Sequence, residues 1–162
     1  MFMNDKIYLE RMSRTIAEAC FKEFCFDDAV FLNEQTMTQF NYSDQWVDDY
    51  LAKKHNCVHL AVMCNDKPIG EILFKRIDPV AGTAVFSIHL QNDSVKGKGY
   101  GTCAEKLAIN YAFSELKLNA IYADVIKKNQ RSIHVLEKVG FQLIKEDDQF
   151  MYYKIERLQC LE

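Results

Sequence analysis

Half of the glycines in this 162-residue chain fall within five positions: Gly97, Gly99 and Gly101, out of six in all. What surrounds them limits the fold. Thr83–Leu90 alternates and yet is apolar on both faces, as a strand covered on two sides must be. A short polar link and the glycines follow. Tyr100, Cys103, Ala104, Leu107, Ala108, Tyr111 and Ala112 then recur at helical spacing. Asn119–Val125 is a second apolar strand. Two buried strands joined through a glycine turn and a helix make the chain mixed α/β.

The flanks extend this pattern. Lys6–Arg11 reads as a strand. Ser13 caps a helix marked by Ile16, Ala17, Cys20 and Phe24, and Ser43 caps another carrying Trp46, Val47, Tyr50 and Leu51. Residues 25–42 between them are aromatic and irregular. His59–Cys64 and Ile69–Arg76 form a β-hairpin about Asn65-Asp66-Lys67-Pro68. Asn129 caps a helix that runs to Lys138 and stops at Gly140. Phe141–Lys145 and Phe150–Ile155 close the chain around Glu146-Asp147-Asp148, a turn that is solvated or attracts a cationic amine. With no linker or repeat, residues 1–162 are expected to form one domain.

Composition excludes partners more than it names them. The net charge is −3 and the pI near 5.8, which gives no basic face for nucleic acid. Polar residues Asn4, Asp5, Lys6, Glu10 and Arg11 interrupt any signal-peptide core, and no apolar run is long enough to span a membrane. A soluble, cytoplasmic protein without membrane or nucleic-acid partners is expected. The six cysteines show no metal-site spacing and lie mostly in apolar runs, as buried reduced thiols would. His55 and His59 flank Cys57 without a carboxylate at ligand spacing, so no metal is expected.

The glycine turn is where chemistry concentrates. Lys96-Gly97-Lys98-Gly99-Tyr100-Gly101-Thr102 opens the helix, and the amides of a helix start point outward with a dipole that favours anions. Two lysines and a hydroxyl complete a cradle for phosphate or diphosphate. The spacing does not fit the nucleoside-triphosphate loop. It fits the dinucleotide fingerprint poorly, because Thr102 holds the last glycine position and a link separates strand from turn.

Lys96-x-x-Gly99-x-Gly101 resembles the Arg/Gln-x-x-Gly-x-Gly/Ala motif of the GNAT superfamily of N-acetyltransferases. Asn110-Tyr111-Ala112-Phe113 continues the likeness. Asn129-x-x-Ser132-x-x-x-Leu136-Glu137-Lys138-x-Gly140-Phe141 resembles the family's second motif, in the style of the ribosomal-protein alanine acetyltransferase branch. The resemblance covers about residues 58–157. It implies a sheet of six to seven strands, splayed between its two central strands and flanked by about four helices. It implies acetyl-CoA as co-substrate, an amine acceptor, and a monomer or homodimer. Backbone amides from Gly97 to Thr102 would hold the pyrophosphate. Backbone groups of His89, Leu90 and Gln91 would pair with the pantetheine arm, and an amide there would stabilise the oxyanion. Asn129 and Ser132 would face the cofactor, or serve as cap and packing residues.

The family's usual proton carriers are missing. Val85 stands where a strand glutamate is common, and Leu136 where a tyrosine is common. Strand parity puts Val85, Ser87 and His89 on one face, unless a bulge reverses the phase. His89 is therefore one candidate base or acceptor ligand, and Glu71 on the preceding strand is another. Tyr153, or its neighbour Tyr152 on the opposite face, is a candidate proton donor to the thiolate. His134 is expected on the exposed side of its helix. Trp46, Phe40, Tyr42 and Tyr50 line the acceptor pocket or pack as core. The rival functions are an acyl-CoA-binding module without catalysis and a dinucleotide-dependent enzyme.

Overall fold

The computed structural model describes residues 5–25 and 42–157. Its elements run β1 (Ile7–Arg11), α1 (Arg14–Lys22), α2 (Asp44–Ala52), β2 (Val58–Cys64), β3 (Lys67–Asp78), β4 (Thr83–Leu90), α3 (Tyr100–Ser114), β5 (Ala120–Ile126), α4 (Gln130–Lys138), β6 (Gln142–Glu146) and β7 (Phe150–Glu156). This is the order that periodicity and caps predict. Most of the irregular 25–42 stretch, with Phe40, lies outside the described residues, as does Cys160.

The caps form as their chemistry requires. Ser13 Oγ accepts from the Ile16 amide at 3.2 Å and Ser43 Oγ from the Trp46 amide at 3.0 Å. The β2–β3 turn is tighter than expected. Asn65 and Asp66 both take positive φ, 49° and 65°, so the ladder resumes at Lys67. Pro68 is tolerated inside β3 because it sits at a register shift opposite Met63.

The seven strands lie in the order β1-β2-β3-β4-β5-β7-β6. Only β4 and β5 run parallel among the described residues, with α3 between them in the chain. A dinucleotide-binding sheet is mostly parallel, so this topology removes that rival. One sheet face carries Leu60, Ile72, Phe74, Phe86, Ile121 and Ile155 against α3 and α4. The other is covered in part by α1 and α2 through Ala17, Cys20, Phe21 and Val47. Phe21 is completely buried, with Trp46 and Tyr50 edge-on at 5.1 and 5.0 Å.

The cysteines depart from expectation. Cys20 is fully buried and burial pushes its thiol up to about 12, but Cys57, Cys64 and Cys103 are half-buried and Cys25 is exposed. All five are free. Their apolar neighbours in sequence alternate between faces, so a run's hydrophobicity does not fix the burial of each member. No described helix is long and apolar enough to cross a membrane.

β4 keeps an unbroken antiparallel register with β3 from Val85–Lys75 to Leu90–Gly70. No bulge intervenes, so His89 shares the face of Val85 and Ser87. Gly70 permits this close approach: a Cβ there would stand 2.5 Å from the His89 carbonyl oxygen and 3.0 Å from Leu90 Cα. Neither is a flexible side-chain end. Gly70→Ala is therefore expected to push the end of β4 outward and to lower stability by about 1–3 kcal/mol, measured by urea denaturation.

Candidate active site

β4 and β5 part early. Their pairing covers Thr83–Ala120, Ala84–Ile121 and Val85–Tyr122, then stops. Beyond it a wedge-shaped cavity of about 130 Å³ opens, lined by Phe86, Ser87, Ile88 and His89 on one side and Ala123–Ile126 on the other. Asn129, Ser132 and Leu136 of the α4 region close its floor. A larger cleft of about 320 Å³ adjoins it and shares Ile88, His89, Asn129 and Ser132.

The backbone at the splayed end alternates. The Gln91 amide donates to the Ile69 carbonyl at 2.8 Å. By ladder alternation His89 also turns its backbone toward β3, which leaves Ile88 and Leu90 to face the splay. The unpaired edge is therefore that of Ile88 and Leu90 rather than of His89 and Gln91. Gln91 is a structural clamp. Its carbonyl accepts from Cys25 N at 2.7 Å, its Nε2 donates to the Cys20 carbonyl at 2.8 Å, and it lines neither cavity.

The glycine turn faces the larger cleft, which Lys96, Gly97, Gly99, Gly101 and Thr102 all line. Gly99 is the N-cap residue of α3 at φ 83°, ψ 0°, and among the described residues no side chain caps the helix. The orphan amides of its first turn therefore await another acceptor. Gly97 has φ 72°, and a Cβ there would meet nothing within 4 Å. An open, uncapped helix start of this kind fits a diphosphate.

Other expected residues are elsewhere. Tyr100 is buried, its hydroxyl donating to Asp5 Oδ2 at 2.7 Å, and Lys98 is exposed; neither lines the cleft or the wedge. Tyr153 lies on the opposite sheet face from His89, since it pairs with Ala123 in the α3–α4 core. It is fully buried and donates to Glu137 Oε1 at 2.8 Å. Tyr152 faces the other way, its hydroxyl on Asp147 at 2.9 Å. Neither tyrosine lines the cleft or the wedge. Asp147 also accepts from the amides of Gln149 and Phe150, bonds that hold its carboxyl below the usual range, so the acidic run is a self-bonded turn. The cleft gains Phe24, Cys25, Glu105, Arg131, His134 and Lys138. Helical periodicity gives the last three a signal, because all fall on the cleft side of α4 together with Val135.

A buried carboxylate organises the surroundings of His89. Glu71 is 2% exposed, not a solvated strand charge. It accepts from Tyr50 Oη at 2.8 Å and bonds His59 Nε2 at 2.7 Å and His89 Nδ1 at 3.3 Å. Burial alone would raise its pKa. The hydrogen bonds and charges of His59 and His89 outweigh that and hold it down at about 2. Burial, then the Glu71 charge, raises the Tyr50 phenol, so Tyr50 stays a donor. His89 is one-third exposed and lines both cavities, with Nε2 left for the site.

This chain belongs to the Acetyltransferase (GNAT) domain family, whose model matches residues 6–142. Spermidine N(1)-acetyltransferase of Escherichia coli K12 is 35% identical over 82 residues, 51% of this chain and 44% of that protein. Probable N-acetyltransferase YjcK of Bacillus subtilis is 42% identical over 78 residues, 48% of this chain and 42% of that one. The matches thus span under half the length of these relatives. Among solved structures, the Vibrio cholerae spermidine N-acetyltransferase in complex with CoA and spermine superposes with a TM-score of 0.72 at 19% identity, covering 96% of this chain and 98% of that one. The fold is therefore the GNAT fold.

Two expectations follow. Gly99→Ala forces a side chain into the left-handed region and is expected to weaken CoA binding about ten-fold or more. Gly101→Ala adds a methyl 3.7 Å from Leu90 Cδ1, an ordinary contact, and should change it little; calorimetry compares the two. Because the folded-state pKa of Glu71 lies below its ordinary 4.5, the stability it contributes is complete above that pH and is lost as pH falls toward 2. The advantage of the native chain over Glu71→Gln in urea denaturation should shrink across that window.

Proposed function

We propose that this chain transfers an acetyl group from acetyl-CoA to a primary amine, directly and within a ternary complex. The observation that carries this reading is that the uncapped start of α3, the unpaired edge of β4 and His89 meet in one cleft. Gly97–Thr102 amides, with Lys96 beside them, bind the diphosphate. Ile88 and Leu90 orient the pantetheine arm as an added strand. Asn129 spends its side chain on the Ser132 amide at 3.2 Å, so it caps α4 while lining the cleft.

His89 is the base. Glu71 fixes its ring through Nδ1, and Nε2 accepts the proton shed as the amine nitrogen bonds to the thioester carbonyl carbon. The carbon–sulphur bond then breaks, and the thiolate takes a proton from the imidazolium or from water. Glu71, too buried to meet substrate, is a positioning residue. The acceptor enters from the sheet face of His89 and Ser87. Asp124, exposed on the same wedge, offers a carboxylate to a cationic amine. That placement, with the names of the E. coli and V. cholerae proteins, favours a polyamine. A protein N-terminus is what the second motif's likeness to the alanine acetyltransferase branch implies instead.

The test is CoA thiol release with spermidine, spermine and an alanine-starting peptide. Turnover with polyamines supports the reading, and turnover with the peptide alone moves it to protein N-termini. Tight CoA binding without turnover leaves a non-catalytic acyl-CoA module. His89→Gln is expected to lower kcat by about 10²-fold, with KM for acetyl-CoA nearly unchanged. The pH–rate profile should lose its acidic limb, the feature a packing role would leave in place. A V. cholerae neighbour is described as dodecameric; monomer or homodimer is the assembly proposed for this chain, checked by light scattering.

A further inference from the structure

One group in the cleft has no part in acetyl transfer. Glu105 lies on α3, four residues after Gly101 and three after Thr102, and so shares their helix face. Side chains on a helix lean toward its N-terminus, which carries this carboxyl back toward the uncapped turn. Glu105 lines the cleft yet is only 2% exposed, and its Oε2 is buried without a hydrogen-bond partner among the described residues. A native fold leaves few such oxygens unpaired, and a ligand is one way to pair them.

We propose that Glu105 contacts the cofactor: as a neutral carboxylic acid it donates one hydrogen bond to an oxygen at the diphosphate end of acetyl-CoA, and as a carboxylate it repels that end. This rests on the reading of the cleft as the acetyl-CoA site. The chemistry is asymmetric. A protonated carboxyl has one O–H donor, whereas a carboxylate only accepts, as the diphosphate oxygens do. Burial keeps the acid protonated, with its pKa pushed up to about 8.

Other charged and titratable groups border the same cleft. They are His89 from β4, Lys96 from the turn, Cys25 from the segment after α1, and Arg131, His134 and Lys138 from α4. β1 and β5 also pack on α3, but neither contributes a charged side chain to this cleft. The cations attract diphosphate whichever form Glu105 takes. Asp93, outside the lining, pairs with Lys96 at 3.4 Å and with Arg131 at 3.9 Å. Glu105 is the acidic side chain among the described lining residues, and its ionisation would add an anion against the phosphates.

The experiment is calorimetric titration of the full chain with CoA between pH 6.5 and 9.5, native against Glu105→Gln. Glutamine keeps a donor and cannot ionise. Titration of the lysines, histidines and CoA phosphates is common to both proteins and cancels in the ratio of their Kd values. Glu105 is protonated below its folded-state pKa and charged above it. The Kd of the native chain relative to Glu105→Gln should therefore rise about ten-fold or more across the range. Glu105→Leu, also without a titrating group, gives the same expectation should the glutamine variant not fold. A flat ratio with tight binding overturns the inference alone. A purely structural role gives that result too, moving the melting temperature with pH but not the ratio. Failure of the native chain to bind CoA at any pH overturns the cleft reading, and this inference with it.

Discussion

Everything functional here depends on two parallel strands that stop pairing after three residues. Phe86, Ile88 and Leu90 forgo a ladder partner on the β5 side. Each unformed bond gives up about 1 kcal/mol net, and more where water is excluded. β4 keeps its place only because its other edge is fully paired with β3 up to Gly70. The absence of a side chain at Gly70 lets the two backbones close at that end. Strand β3 thus carries strand β4, and the freed edge becomes a binding surface. The same opening delivers the start of α3, because the chain must leave the top of β4 and cross before it can return as β5.

The acceptor side rests on a second constraint, the burial of one charge. An isolated carboxylate at 2% exposure would protonate or unfold the site. Glu71 stays ionised because three donors from separate elements converge on it: Tyr50 of α2, His59 of β2 and His89 of β4. Removing one partner of a buried charged set costs about 3–5 kcal/mol, while the full set adds little net stability over an apolar one. What it supplies is orientation. It fixes the His89 ring and ties α2 to the sheet beside the cleft. The stacking of Trp46 on Tyr50 at 4.8 Å then joins that tie to the aromatic cluster around Phe21.

The sequence carried the architecture because the elements announce themselves locally. Ser13, Ser43 and Asn129 cap the helices they precede, and Gly140 ends α4 at φ 107°. Period-two alternation in β4 placed His89 with Val85 and Ser87 correctly, since no bulge intervenes. What the sequence leaves open has one cause: it depends on which neighbour a group meets across the fold. The backbone direction of Gln91 is set by Ile69 and Cys25, and the occupancy of the Tyr153 hydroxyl by Glu137. Glu71 and Glu105 did leave a local mark, each a lone acid among apolar residues on a buried face (Ile69–Phe74, and the Ala104–Ala108 turn of α3). Such a residue needs a partner, and the identity of the partner is tertiary information.

The two buried acids show how one residue type takes opposite charge states within one fold. Glu71 has hydrogen-bond donors and remains an anion; Glu105 has none at Oε2 and becomes an acid. Glu71 thereby sets a fixed negative charge behind His89. Lys96, Arg131 and Lys138 line the cleft with Glu105; Asp93 pairs with the first two, and a protonated Glu105 adds no second anion. A chain of net charge −3 can therefore hold a cluster of cations and a fixed buried anion in one region of its fold. The separation does not come from the count of charges. It comes from hydrogen bonding, which decides which buried carboxyl keeps its proton.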